Sequence, residues 1–261
     1  GDRVEFAGHM LEVNLGPGIL SRNYDGLQND LDRMEGIFLE RGSQTDALDH
    51  EKKYEFKPIA KKDDTVIAGD WLGEVTENWL PHKIMVPFKF KGKFKVKSLA
   101  EQGEYTIDDT MAVLLDEDGK EIEVTMVQQW PVKIPIKKYR EKPRPFKMLE
   151  TGIRIIDTLN PIGEGGTGFI PGPFGSGKTV LQHALSKQAE ADMIIMAACG
   201  ERANEVVEIF TEFPELEDPR TGRKLMERTT IIANTSNMPV AAREASVYTA
   251  MTIAEYYRAM D

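Results

Sequence analysis

Cysteine, histidine and long apolar runs are the scarcities that first narrow this sequence. With Cys199 as the single cysteine, no internal disulfide can form, which suits a reducing compartment. The four histidines, His9, His50, His82 and His183, fall at no metal-ligand spacing, so ordinary surface or core histidines account for them. No apolar stretch approaches the ~18 residues of a membrane-crossing helix; residues 193–199 form the longest. The N-terminus lacks the charged-then-apolar layout of a secretory signal. Positive charge is also short. Lys and Arg number 33 against 43 Asp and Glu, a net charge of −10, which argues against a surface that tracks nucleic acid. The chain starts without methionine, in what reads as mid-strand, and the expectation is a fragment or processed piece.

What is present fits about two domains and a real core: 261 residues, 41% apolar and 29% charged. Residues 4–15 tend to alternate, most clearly in Leu11-Glu12-Val13-Asn14-Leu15, and predict a half-buried strand. Gly16-Pro17-Gly18 breaks it. A loop carrying Asp46, Asp49 and Glu51 follows, and solvated surface is the plain account of those acids.

Residues 54–131 predict an all-β domain, with strand-like runs punctuated by Asp63-Asp64, Gly69-Asp70, Gly92, Gly103 and Asp118-Gly119. The segment 63–73 resembles the turns of barrel-sandwich modules such as biotinyl domains. It has no lysine in the Met-Lys-Met setting that carries their cofactor, so only architecture is shared. Lysines 89, 91, 93, 95 and 97 alternate with Phe88, Phe90, Phe94 and Val96. Basic residues interleaved with aromatics can mark a single-strand-binding groove. Here the aromatics occupy the opposite face, so they cannot stack bases that the lysines hold. A solvated lysine face protecting an edge strand, interrupted by a turn or bulge at Gly92, explains the stripe better.

Pro131, Pro135, Pro143 and Pro145 mark a connector. Beyond it helix and strand alternate. The spacing predicts a helix over 151–159, a short buried strand over 167–171, a helix after 179 with Val180, Leu181, Ala184 and Leu185 recurring, and a central strand over 193–198. A helix over 203–213 with Val206, Val207 and Phe210 inward follows, then a strand over 229–233 and a long helix over 240–260 started by Pro239. This order implies a doubly wound sheet with ligands at the carboxyl ends of its strands.

Gly172-Pro173-Phe174-Gly175-Ser176-Gly177-Lys178-Thr179 fits G-x-x-x-x-G-K-[ST], leading into Val180. Its glycines let backbone N–H groups turn toward phosphate oxygens, and the new helix adds unpaired donors. Lys178 reaches the terminal phosphates of ATP or ADP, and the Thr179 hydroxyl is placed to ligate Mg²⁺. Gly200-Glu201-Arg202 falls just after the 193–198 strand, on the same edge. Glu201 could orient or deprotonate an attacking water, and Arg202 could steady Glu201 or the released phosphate. An exposed charged pair at a helix start is an equal reading from position alone.

These stretches, together with Glu12-Val13-Asn14-Leu15-Gly16-Pro17-Gly18, Tyr24-Asp25-Gly26-Leu27-Gln28 and the run from Asn234-Thr235-Ser236-Asn237-Met238-Pro239 to Ser246, resemble the catalytic A subunit of V/A-type rotary ATPases along essentially the whole chain. The resemblance implies a RecA-like P-loop NTPase sheet preceded by an all-β bulge domain of barrel-sandwich type. It divides the chain into the end of an N-terminal barrel with a linker (1–40), the bulge (41–132) and a truncated nucleotide-binding domain (133–261). By position, Lys178 and Thr179 bind phosphate and Mg²⁺, Glu201 activates water, and Arg202 contacts the phosphate region. Ala198 and Ala203 replace two glycines usual in the family, which looks like a bacterial branch.

The family implies B subunits alternating in a hexameric ring, one of them lending an arginine to the site. It also implies central stalk subunits and, indirectly, a membrane rotor that moves H⁺ or Na⁺. The setting would be the cytoplasmic face of a membrane, with no nucleic acid. One departure is plain: no strand after Lys178 ends in the Asp that holds the Mg²⁺ water shell, so the expectation for this piece alone is little turnover. A non-catalytic ring homologue would lack the intact loop or the Glu. A ring helicase or transcription terminator would need a nucleic-acid-binding domain.

Overall fold

The alternation between residues 54 and 131 does build strands. The computed structural model describes residues 5–6, 8–34, 44–138, 144–173 and 175–260. The first strands are β1 (Glu12–Leu15), β2 (Asn23–Tyr24), β3 (Tyr54–Pro58), β4 (Thr65–Val66), β5 (Trp71–Glu77) and β6 (Leu80–Met85). Then come β7 (Phe94–Leu99), β8 (Gly103–Tyr105), β9 (Ala112–Leu115), β10 (Glu121–Val124) and β11 (Gln128–Pro131). The remainder is β12 (Met148–Leu149), α1 (Arg154–Leu159), β13 (Ile162–Gly163), α2 (Lys178–Gln188), β14 (Ile194–Glu201), α3 (Ala203–Glu212), β15 (Thr229–Thr235) and α4 (Val240–Arg258). Two units result: one from 1–138, 195–208 and 229–261, the other from 139–194 and 209–228.

In the first unit, two four-stranded sheets run β10-β9-β7-β4 and β6-β5-β3-β8. Val66, Leu72, Val86, Phe94, Val96, Ala112, Leu114 and Val124 form a buried cluster to which strands of both sheets contribute. Side chains of the Val, Leu or Phe type each stabilise by about 1.5–3 kcal/mol when fully buried. Along β7 the burial alternates as the sequence predicts, with Phe94 and Val96 in and Lys95 and Lys97 out. Those lysines meet Asp63 at 2.8 Å and Glu121 at 2.5 Å. The strand is not an edge, however. It lies between β9 and β4, and its exposed face is held by ion pairs rather than left to repel neighbours. Residues 88–93 do not extend it, because Gly92 turns the chain at φ 91°.

The predicted strand over 4–15 reduces to β1 (residues 1–4 and 7 lie outside the described residues). It pairs antiparallel with β11, Glu12 opposite Pro131 and Leu15 opposite Gln128. A second connection was not visible in the sequence. β2 joins the sheet β14-β15-β2, running parallel to β15 with Asn23 opposite Ile231. β15 is buried along nearly its whole length, and α4 packs on both β15 and β1.

α4 is tied down at its far end by a cluster of ionisable groups. Glu77 Oε1 accepts from the backbone N–H of Gly18 (2.7 Å) and of Leu20 (2.9 Å). Its Oε2 accepts from His82 Nδ1 (2.7 Å) and from the Tyr257 hydroxyl (2.9 Å). His82 Nε2 meets the Tyr256 hydroxyl at 2.8 Å. All of these side chains are buried. Burial alone pushes a carboxyl pKa up, but the hydrogen bonds and charge from His82, the Leu20 N–H and the Tyr257 hydroxyl outweigh it, and Glu77 titrates below its ordinary value. Burial, reinforced by the Glu77 charge, raises both tyrosines, which stay protonated.

The second unit is looser. Its α1 is shorter than the predicted 151–159, because Asp157 folds back to accept from the N–H of Thr151 and Gly152. No strand forms over 167–171: Gly166, Gly168 and Pro171 weaken it, no neighbouring edge pairs with it among the described residues, and Phe169 stays 87% exposed. α3 buries Val206 and Ile209, where the spacing predicted Val206, Val207 and Phe210 inward; Val207 is exposed, and Phe213, just past the helix, is buried. In the second unit, buried Arg228 forms an ion pair with Asp218 at 2.9 Å and donates to the Ala191 carbonyl. Arg220 donates to the same carbonyl at 2.7 Å.

The Glu77 cluster makes a stability prediction. Glu77→Ala leaves buried donors without an acceptor and should cost about 3–5 kcal/mol, read as a lower denaturant midpoint. Because the Glu77 pKa is depressed, its contribution is complete above the ordinary value of 4.5 and is lost as pH falls through the lower folded-state value. Wild type should therefore lose more stability on acidification in that range than Glu77→Ala does; equal losses would remove Glu77 as the cause.

Candidate functional site

A loop rich in glycine can expose its N–H groups only if some residues take the left-handed region. Gly175 and Gly177 do so, at φ 76° and 82°. α2 then begins at Lys178, with Gly177 at its N-cap and no side chain capping it. Its first turn also carries no acidic residue. The N–H donors that open an α-helix have no intrahelical partner, and here no carboxylate or hydroxyl side chain claims the cap. An anion suits this place. The loop itself is drawn tight: the Ser176 hydroxyl donates to the Pro173 carbonyl at 2.8 Å. Lys178 Nζ donates to the carbonyls of Gly172 (2.6 Å) and Pro173 (2.8 Å). A phosphate reaching Lys178 would exchange these bonds for charge-assisted ones, which are about twice as strong as neutral ones.

Thr179 lies in the first turn of α2, and Val180, the next residue, is 73% exposed. Phe174 lies outside the described residues. Among the described residues no group of three or more His, Cys, Asp or Glu side chains could hold a metal. Hard oxygen donors, such as a hydroxyl and phosphate oxygens, are the kind Mg²⁺ prefers.

Glu201 and Arg202 belong to the other unit. The strand predicted over 193–198 runs further, so that Glu201 is the last residue of β14 rather than a residue beyond it. The Ser236 N–H, just past β15, donates to the Glu201 carbonyl at 2.9 Å. Arg202 gives its own carbonyl to the first turn of α3, accepting from Glu205 and Val206. Arg243 and Ser246 from α4 contact this strand end, at Gly200 and Cys199. Asn234 is buried with neither amide atom hydrogen-bonded, and Arg243 lies against Gly200. The 234–246 run was matched as a stretch, with no role given to Asn234 or Arg243. The signal that could have found them is their place at the carboxyl end of buried β15 and in the first turn of the helix that follows it, on the ligand edge of the sheet.

Comparison with known proteins agrees with this geometry. Residues 152–261 match the ATP synthase alpha/beta family, nucleotide-binding domain, and residues 45–133 match the ATP synthase alpha/beta subunit barrel-sandwich domain. The V-type ATP synthase alpha chain of Treponema denticola is 56% identical over the whole of this chain, those of Borrelia hermsii and Borrelia turicatae 56% and 55%. This chain spans 45% of the first relative and 46% of the Borrelia turicatae one, under half of each. The chain therefore belongs with the ATP synthase alpha/beta family, with a barrel-sandwich domain followed by a P-loop nucleotide-binding domain. No helix among the described residues is long and apolar enough to cross a membrane.

If the loop and uncapped helix hold phosphate, Lys178→Ala should weaken ATP or ADP binding by about 10- to 100-fold, the value of a hydrogen bond to a charged group. Titration calorimetry on the two chains would read this directly. Equal affinities would place the nucleotide elsewhere.

Proposed function

We propose that this member of the ATP synthase alpha/beta family is the catalytic A subunit, in part, of a V/A-type rotary ATPase. It would couple ATP hydrolysis or synthesis to H⁺ or Na⁺ movement. The observation that carries the reading is the uncapped N-terminus of α2, opened by Gly175 and Gly177 and carrying Lys178 in its first turn. In this reading Gly172, Pro173, Phe174, Gly175, Ser176, Gly177 and Val180 frame the phosphates, and residues 1–40, 41–132 and 133–261 are barrel end with linker, bulge and nucleotide-binding domain. The assembly is a ring of alternating A and B subunits on a central stalk, acting on a membrane rotor from the cytoplasmic face.

Chemically, hydrolysis moves the γ-phosphoryl group from ADP to water: the new P–O bond forms in line with the one that breaks. Glu201 orients the water and takes its proton. Lys178 balances charge on the β- and γ-oxygens as it shifts toward ADP. Arg202 holds the departing phosphate. Mg²⁺, held by Thr179 and the nucleotide, supplies further neutralisation of phosphate charge when bound. A separate base and a separate cation suit each other, because the carboxylate must stay ionised beside negative phosphates, and the arginine favours that.

The test uses the full-length subunit assembled with its partners. Glu201→Gln should keep nucleotide affinity while ATP hydrolysis falls by about 10²–10⁴-fold, the usual contribution of a positioned base. Undiminished turnover in a ring that loses it with Lys178→Ala would take Glu201 out of the mechanism.

A further inference from the structure

Glu201 can act on a water only if its backbone is held still, and the residues that hold it come from outside its own strand. Gly200, immediately before it, takes φ 79°, where a side chain is strained. A Cβ on Gly200 would stand 2.8 Å from Arg243 Cδ, so the aliphatic stem of Arg243 lies flat on this peptide. The Arg243 guanidinium donates through Nη1 to the Ser236 carbonyl at 3.3 Å. Ser236 in turn donates its N–H to the Glu201 carbonyl at 2.9 Å. A continuous path of contacts thus runs from Arg243 through Ser236 to Glu201, and a second one runs through Gly200. The helix side is anchored as well: Arg243 sits in the first turn of α4, its N–H bonded to the Pro239 carbonyl at 3.1 Å. Three residues on, buried Ser246 reaches back to the Arg243 carbonyl and to Cys199 Sγ at 3.1 Å.

Arg243 has no carboxylate within ion-pair distance among the described residues. Here the cation is spent on one carbonyl and on packing over a glycine that cannot carry a side chain.

We propose that Arg243 is a positioning residue for hydrolysis, fixing the Gly200-Glu201 backbone through its stem and through Ser236 so that the Glu201 carboxylate meets the attacking water. This rests on the proposed ATPase function of the same site. It also explains the glycine: Gly200 leaves the room in which Arg243 lies.

The experiment is steady-state ATPase kinetics and nucleotide binding on the full-length subunit in its assembled ring, comparing wild type, Lys178→Ala, Glu201→Gln, Arg243→Ala, Arg243→Lys and Glu201→Gln/Arg243→Ala. Arg243→Ala should lower kcat by about 10- to 100-fold, as expected for a misplaced catalytic group, with KM and nucleotide affinity changed less than about twofold if ground-state binding is untouched. Arg243→Lys keeps the stem over Gly200 and should recover most of kcat. The double variant should be no slower than Glu201→Gln alone, since residues that act as a unit are not additive. A wild-type kcat in Arg243→Ala, a loss carried by KM, or additive losses in the double variant would overturn the assignment. If instead Lys178→Ala and Glu201→Gln leave hydrolysis intact, it is the ATPase reading that fails.

Discussion

The Glu77 carboxylate is where three separate parts of the chain are made to agree. Its donors come from the Gly18–Leu20 loop, from the β5–β6 hairpin and from the last turns of α4. A buried carboxylate without partners would be driven to its neutral form at a cost of several kcal/mol. With these partners it stays ionised, and its acceptor capacity fixes where each segment must lie. Tyr257 then packs edge-on against His82 and Tyr256 packs tilted against it, with ring centroids 5.5 Å apart in each case. Because α4 also packs on β15, the polar cluster at one end of the helix sets the frame in which its other end, with Arg243, meets the end of β14.

Polar specification of this kind suits α4. Its buried face is made largely of small or hydroxylated residues, Ala242, Ser246, Thr249, Ala250 and Thr252. Such a face lets backbones approach closely. Thr249 donates to the Gly26 carbonyl at 2.8 Å, and Gly26 itself sits so near Ala242 that no Cβ would fit. Small side chains contribute little by transfer of apolar area, so hydrogen bonds carry more of the register. The core of the barrel-sandwich domain is built the other way, from Val, Leu and Phe side chains, with the Lys95 and Lys97 charge pairs on its surface and the Glu77–His82 pair as its buried exception.

That contrast explains what the sequence disclosed. Strands with strict alternation, such as Phe94 to Val96, were legible because burial on one face is a local property of period two. β15 and α4 were legible for similar reasons, a short β-branched run at 229–233 and a long helical pattern behind Pro239. The phosphate loop was legible because its chemistry demands a short, contiguous motif. What escaped was non-local. β2 is two residues long, and nothing in Asn23-Tyr24 announces a partner some two hundred positions away. The edge assignment of β7 failed because pairing partners, unlike faces, are not written in a strand's own residues. The 167–171 strand failed because an apolar residue or two between glycines supplies little to bury and no ladder to join.

Lys178 and Glu201, the residues of the proposed site, show the same division, each in its own unit. The loop lysine is recognised by its neighbours in sequence, yet its ammonium is bound to the carbonyls of Gly172 and Pro173, a state no motif describes. Two neutral acceptors offset only part of the cost of ordering a lysine chain, and a phosphate dianion offers stronger bonds in the same place. The loop thus holds its cation in a position from which it can be recruited. At β14 the constraint is opposite. Glu201 ends a strand whose peptide is bonded across to Ser236, and Gly200 beside it is confined to a conformation other residues avoid. In the proposed hydrolysis, Lys178 would exchange its carbonyl partners for phosphate oxygens, while the held backbone of Glu201 would keep its carboxylate in line with the water.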